Sequence, residues 1–192
     1  TFAFAISGIR LASAKKFDWF GAYVVGVVTA VGGGTLRDVL LNATPFWMTQ
    51  ASYLVISALA LLFVIVFRKY VISLNNTFFI FDAIGLGLFG VVGIEKALSF
   101  GFPMWVAIIM GTITGAFGGM IRDILINEVP LIFRKDIYAL ACVFGGLIYY
   151  ICLQMGLGSS SLTQLIAASS IFIARIVSVK YHISVPVLKG EE

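Results

Sequence analysis

Apolar residues fall in seven runs along the chain, near residues 2 to 14, 19 to 36, 51 to 67, 78 to 94, 103 to 121, 137 to 157 and 161 to 179. Every run except the first is long enough to cross roughly 30 Å of hydrocarbon at about 1.5 Å per helical residue. The pattern predicts an all-α polytopic membrane protein with seven transmembrane helices, forming a single transmembrane domain over residues 1 to 192. The chain opens at Thr1 without a methionine, so the short first run reads as a truncated helix. It lacks the basic flank and small-residue cleavage site of a cleavable signal peptide.

Composition agrees with the pattern. Sixty per cent of the residues are hydrophobic and 11% are charged, and the mean hydropathy is +1.06. That leaves too little polar surface to enclose a soluble core. The net charge of +4 matters less than its placement. Lys15, Lys16, Arg68, Lys69, Arg134, Lys135, Lys180 and Lys189 fall on one face if the seven spans alternate, and the connections 41 to 51 and 154 to 163 on the other face carry no basic residue. The positive-inside rule then puts the N-terminus outside and the C-terminus in the cytoplasm of a cell (inner) membrane. Basic residues dispersed singly or in pairs among apolar runs do not make a nucleic-acid surface, so no nucleic-acid partner is expected. Cys142 and Cys152 lie in one run, about 15 Å apart if helical, too far for a disulfide.

Sliding the chain against itself gives one ungapped match, at an offset of 85 residues. Residues 33 to 45, GGTLRDVLLNATP, meet residues 118 to 130, GGMIRDILINEVP. The same offset pairs Phe4 with Phe89, Gly8 with Gly93, Gly26 with Gly111, Thr29 with Thr114 and Tyr53 with Tyr138. Three spans per copy is an odd number, so the second copy enters the bilayer from the opposite side, which is the inverted-repeat plan. Repeat one covers about residues 1 to 75 and repeat two about 78 to 157, and the unpaired seventh helix, about 161 to 179, serves packing or oligomer contact. Asp82 would pair with a position just before Thr1, where an acidic residue is expected.

The repeated motifs concentrate the candidate chemistry. Gly32, Gly33 and Gly34 in span 2, and Gly118 and Gly119 in span 5, each cost about 1 kcal/mol of helix propensity relative to alanine. They read either as hinges or pore-lining breaks, tolerated where freed carbonyls face a cavity, or as sites of close helix packing. Thr29 and Thr114 place hydroxyls beside them, although such a hydroxyl commonly bonds its own backbone. Arg37-Asp38 and Arg122-Asp123 follow within a turn. An intramembrane ionisable residue costs at least about 2.5 kcal/mol, and adjacent helical residues point about 100° apart. One reading is therefore a cross-repeat ion-pair lock, Arg37 with Asp123 and Arg122 with Asp38. The other lines an ion path with carboxylates that attract cations and arginines that act as a gate. Asn42 with Pro45, and Asn127 with Pro130, read as helix termination. Glu95-Lys96 stands near the outer end of span 4, where Lys96 either snorkels to the interface or sits in a water-filled crevice and feels the membrane potential. No cysteine-histidine cluster and no phosphate-binding glycine loop occurs, so neither enzyme activity nor a metal or other cofactor is expected.

Gly32 to Asp38, the span 5 stretch Phe117 to Asp123 and Gly93-Ile94-Glu95-Lys96-Ala97 together resemble the trimeric intracellular cation channels, in their prokaryotic branch. The resemblance implies a homotrimer in membrane lipid, with one pore per protomer bounded by spans 2 and 5, permeable to potassium and other monovalent cations. It also implies that the glycines bend the pore helices, that the Arg-Asp positions lie at or beside the path, and that Lys96, with Glu95 and Asp82 on the same span, is the candidate for voltage-dependent gating. Because that branch is also linked to movement of glycine, a secondary transporter of a small amino acid is the alternative. A purely structural membrane protein is a third reading, and it predicts neither current nor uptake.

Overall fold

The apolar runs fold as helices because backbone polar groups must be satisfied within each segment when water is absent. The computed structural model describes residues 1–67, 77–135 and 137–186. Arg68, Lys69 and Lys189, counted above among the basic face, lie outside the described residues. Seven helices follow the seven runs: α1 Phe2–Ala14, α2 Trp19–Leu40, α3 Ser52–Val66, α4 Thr77–Ser99, α5 Met104–Leu125, α6 Ala139–Gln154 and α7 Ser161–Lys180. A single helical turn, Phe46–Thr49, precedes α3, and a 3-10 turn, Leu131–Phe133, precedes α6. Among the described residues there is no β-strand.

Four helices, α2, α4, α5 and α7, are long and apolar enough to cross a bilayer. The other three are shorter, at 13, 15 and 16 residues. For α3 and α6 this is less than the apolar runs suggested. The run ending at residue 157 outlasts α6 because Gly156 turns left-handed, with φ 81°, and Leu157 folds back to donate to the Cys152 carbonyl at 3.2 Å. Hydrophobicity continues past the cap, but the helix does not.

Helix ends share one device. At the end of α2 the Asn42 amide donates to Val39 O at 3.0 Å and the Ala43 amide to Asp38 O at 2.8 Å, with Asn42 at φ 53°. At the end of α5 Asn127 donates to Ile124 O and Glu128 to Asp123 O, with Asn127 at φ 57°. This is the Schellman arrangement, with asparagine in the left-handed position that glycine usually fills. The termination expected at Asn42-Pro45 and Asn127-Pro130 is thus made by the asparagines, and the prolines open the turns that follow.

Packing is that of a membrane protein, with small groups inside and large apolar ones outside. On α3 the exposed stripe is Val55, Leu59, Leu62 and Val66, while Ser57, Ala60 and Val64 are buried. One apolar cluster joins Phe4, Ile6, Ile9, Val25, Ala60 and Val64 of α1 to α3. A second joins Leu86, Ile94, Tyr138, Tyr149 and Ile171 of α4 to α7. Contact of α2 with α5, and of α1 with α4, ties the two together. The helix α7 packs on α4 and α6, and Arg175 anchors it by donating to the Ile137 carbonyl at 2.6 Å.

Candidate functional site

The glycines of the repeated motif do not break their helices. Both α2 and α5 run as continuous helices through them, and the facing helix packs closely there. A Cβ at Gly33 would collide with the Thr114 carbonyl oxygen, and one at Gly118 with that of Thr29. The two collisions exchange under the 85-residue offset, so each helix presses its glycine on the other's threonine. A Cβ at Gly32 would meet Ile121 Cδ1 at 3.2 Å and the Gly118 Cα at 3.6 Å. Gly34 seats the Phe46 ring, and Gly119 makes room for the Tyr138 hydroxyl, which a Cβ would meet at 2.6 Å. Thr29 and Thr114 are buried, and their hydroxyls donate to Val25 O and Met110 O, each at 2.6 Å. Their hydroxyls thus satisfy their own helices, and their carbonyls form the contact.

The Arg-Asp pairs sit in the last turn of each helix. Arg37 Nε donates to Asp38 Oδ1 at 2.8 Å, with Nη2 at 2.7 Å from the same oxygen. Arg122 Nε donates to Asp123 Oδ1 at 2.9 Å. The cross-repeat lock is therefore corrected: each arginine folds back on its neighbour's carboxylate. Geometry explains why. The arginine stem is long enough to span the 100° between adjacent residues, and the partner motif lies at the opposite end of the packed pair. The second oxygen of each carboxylate staples the returning loop, Asp38 Oδ2 accepting from the Phe46 amide at 2.9 Å and Asp123 Oδ2 from Leu131 at 3.0 Å. These aspartates thus hold an arginine side chain and a loop amide together.

The two arginines differ beyond that. Arg122 also donates to Asp82 of α4 and, at 2.8 Å, to Ser7 of α1. Asp82, a gating candidate on sequence, is completely buried in this pair. Arg37 instead lies over the Phe46 ring, 5.6 Å from its centroid, and borders a cavity of about 490 Å³ with Tyr53, Phe89, Glu95, Lys96 and Ser99. A second cavity, of about 280 Å³, is bordered by Leu11, Ala14, Lys15, Arg122, Asp123 and Glu128, among others. Under the repeat, Arg37, Lys96 and Ser99 of the first become Arg122, Leu11 and Ala14 of the second. The cavities are counterparts at the C-terminal ends of α2 and α5, and only the first has a lysine on its α4-type wall.

Glu95 and Lys96 divide their work. Glu95 Oε1 accepts from Tyr149 at 3.0 Å and Gln164 at 2.7 Å, fastening α4 to α6 and α7. Lys96 faces the first cavity and packs over Phe100, 5.3 Å from the ring centroid. The second cavity is crossed by a bridge from Lys15 to Glu128 at 2.6 Å, with Arg134 at 3.4 Å from the other carboxylate oxygen. Lys15 holds the exposed Glu128 carboxyl below its ordinary range, chiefly by that hydrogen bond. Sequence reasoning missed this bridge, and with it Ser7, Tyr138 and Arg175. Arg175 had a signal, as an arginine inside an apolar run, and Tyr138 one in its pairing with Tyr53 under the repeat. Cys142 and Cys152 are free and buried.

The family model described as "Glycine transporter" matches residues 1–69 and 79–154. A UPF0126 membrane protein of Vibrio cholerae is 42% identical over 188 residues, 97% of this chain and 78% of the relative. The UPF0126 inner membrane protein YadS of Escherichia coli is 36% identical over 197 residues, covering 100% and 94%. Among solved structures, a TRIC cation channel superposes with a TM-score of 0.88 at 34% identity, covering 100% of this chain and 94% of the other. The TRIC trimeric intracellular cation channel orthologue from Rhodobacter sphaeroides gives 0.87 at 34%, covering 94% and 93%.

Proposed function

The chain belongs to the UPF0126 family of prokaryotic membrane proteins, within the prokaryotic branch of the TRIC channels, and on that premise we propose that it is a monovalent cation channel. The observation that carries the proposal is the full-length superposition on TRIC channels, whose membrane role is conduction and not catalysis. Potassium is the main ion, each protomer of a homotrimer holds its own pore, and α2 and α5 bound it. Two features of the site support that reading. Cavities stand at both ends of the packed α2–α5 pair, each with a motif arginine on its wall. The reciprocal contacts of Gly33 with Thr114 and Gly118 with Thr29 are those of a local two-fold axis, as inverted repeats require.

In this reading the protein has seven crossings, with the N-terminus outside and the C-terminus in the cytoplasm. Lys96 then faces the outer cavity and the Lys15–Glu128 bridge spans the inner one. The glycine contact between the cavities is the constriction, and conduction requires the two to join beside it. Lys96, packed over Phe100 on the wall of the first cavity, is the group on which a membrane potential acts, at about 2.3 kcal/mol per 100 mV for a full crossing.

A transporter of a small amino acid is the second reading, favoured by the description of the matching family model. Single-channel recording of the purified protein in planar bilayers under a potassium gradient, beside glycine uptake into vesicles, separates the two. Discrete currents reversing near the potassium equilibrium potential are expected. Silent bilayers with saturable glycine uptake would establish the transporter, and neither signal would leave the structural role.

A further inference from the structure

The closing turns of α4 carry two ionisable residues in succession, and adjacent helical residues diverge by about 100°. Lys96 packs over the Phe100 ring on the wall of the first cavity. Glu95 Oε1 accepts from the Tyr149 hydroxyl of α6 at 3.0 Å and from Gln164 Nε2 of α7 at 2.7 Å. The helix stops just beyond them: the Ser99 hydroxyl donates to the Lys96 carbonyl at 2.7 Å, and Gly101 turns left-handed at φ 80°. Two donors from two other helices therefore converge on one oxygen, one residue away from the lysine.

Docking of α4 does not need this tie. Leu86 and Ile94 already share an apolar cluster with Tyr149 and Ile171, and Gly87 lies against the Ala168 carbonyl of α7, which a Cβ would meet at 2.7 Å. A carboxylate within a membrane helix is costly, and such residues commonly serve function. The repeat shows where this one is placed. At the 85-residue offset Glu95, Lys96 and Tyr149 face Arg10, Leu11 and Val64, and α7 has no counterpart. The half that carries the lysine is the half that carries the tie.

We propose that Gln164 and Tyr149, acting through Glu95, are positioning residues for Lys96, which fix the last turns of α4 and so set the potential at which the lysine charge moves. The role rests on the reading of Lys96 as the charge on which the potential acts. A rotation or axial shift of these turns carries Glu95 and Lys96 together, so it draws Glu95 off both donors. In the proposed channel the glycine contact separates the cavities, and the tie holds α4 in that closed arrangement. It also gives the unpaired seventh helix a task beyond packing.

The test is the open probability of the full-length protein in planar bilayers, measured against voltage for the wild type, Gln164→Leu, Tyr149→Phe and Lys96→Gln. Loss of one hydrogen bond to a charged group shifts an equilibrium by about tenfold or more. Each tie variant is therefore expected to raise the open probability about tenfold at a potential where the wild type is mostly closed, moving the activation curve toward smaller potentials. Its steepness should not change, because no charge has been removed. Lys96→Gln is expected to flatten the curve, and Gln164→Leu added to it should no longer shift the voltage dependence. A tie that served only to hold helices together would lower the melting temperature and leave the curve in place. If Lys96→Gln flattens the curve while both tie variants superpose on the wild type, the positioning role alone is overturned. If Lys96→Gln leaves the steepness unchanged, the reading of Lys96 fails and the positioning role fails with it.

Discussion

At the scale of single residues, the glycines of one motif are not equivalent. Gly33 and Gly118 face backbone carbonyls that cannot move alone. Alanine at either should cost about 1–3 kcal/mol, the range for overpacking, read as a lower melting temperature of the purified protein. A Cβ at Gly32 would crowd only the end of the Ile121 side chain, with Gly118 Cα at ordinary contact distance, and the replacement recovers about 1 kcal/mol of helix propensity. Gly32→Ala should therefore melt close to the wild type. The aspartates are equally specific. Asp38 is buried between Arg37 and the Phe46 amide and borders neither cavity. Asp38→Asn should lower stability by about 1.5–3 kcal/mol, the worth of hydrogen bonds to a charged group, and leave the reversal potential of surviving channels unchanged. A shifted reversal potential would place that carboxylate in the path.

At the scale of elements, helix ends and their loops carry the testable consequences. Asn42 holds φ 53°, a conformation that costs roughly 1–2 kcal/mol for residues whose Cβ meets the following carbonyl. Asn42→Gly should be neutral or stabilising, and Asn42→Val destabilising by about that amount, in thermal melts of the two variants. The Lys15–Glu128 bridge joins the α1–α2 connection to the one after α5. Its carboxyl titrates below the ordinary 4.5, so its contribution is complete above that pH and is lost as the pH falls through the lowered value. Melting of the wild type and Glu128→Gln should differ at neutral pH, converge in acid, and converge again in high salt, since both partners are exposed to screening.

At the scale of the whole molecule, the proposed inverted arrangement has the two halves present opposite helix ends to opposite sides of the membrane. Ser99→Cys should react with a membrane-impermeant maleimide added outside intact cells, and Lys135→Cys only after permeabilisation. The native background is low because Cys142 and Cys152 are buried. Equal reactivity of both from one side would refute the inverted arrangement. The short helices α1, α3 and α6 leave the bundle uneven in length, and α7 covers α4 and α6 in the second half.

Helix positions, the caps at Asn42 and Asn127, and the 85-residue repeat were all legible in the sequence, because each depends on residues within a turn or two of one another or on identity at a fixed spacing. So was the choice of bilayer over water, which composition decides. Tertiary structure alone decided which acid each arginine meets, because Arg122 finds Asp82 across 40 positions and Ser7 across 115. It also decided that the glycines serve contact, since propensity measures their cost to a helix and only the neighbouring backbone shows the gain. The two cavities arise where separate helices converge, and no local pattern encodes that convergence.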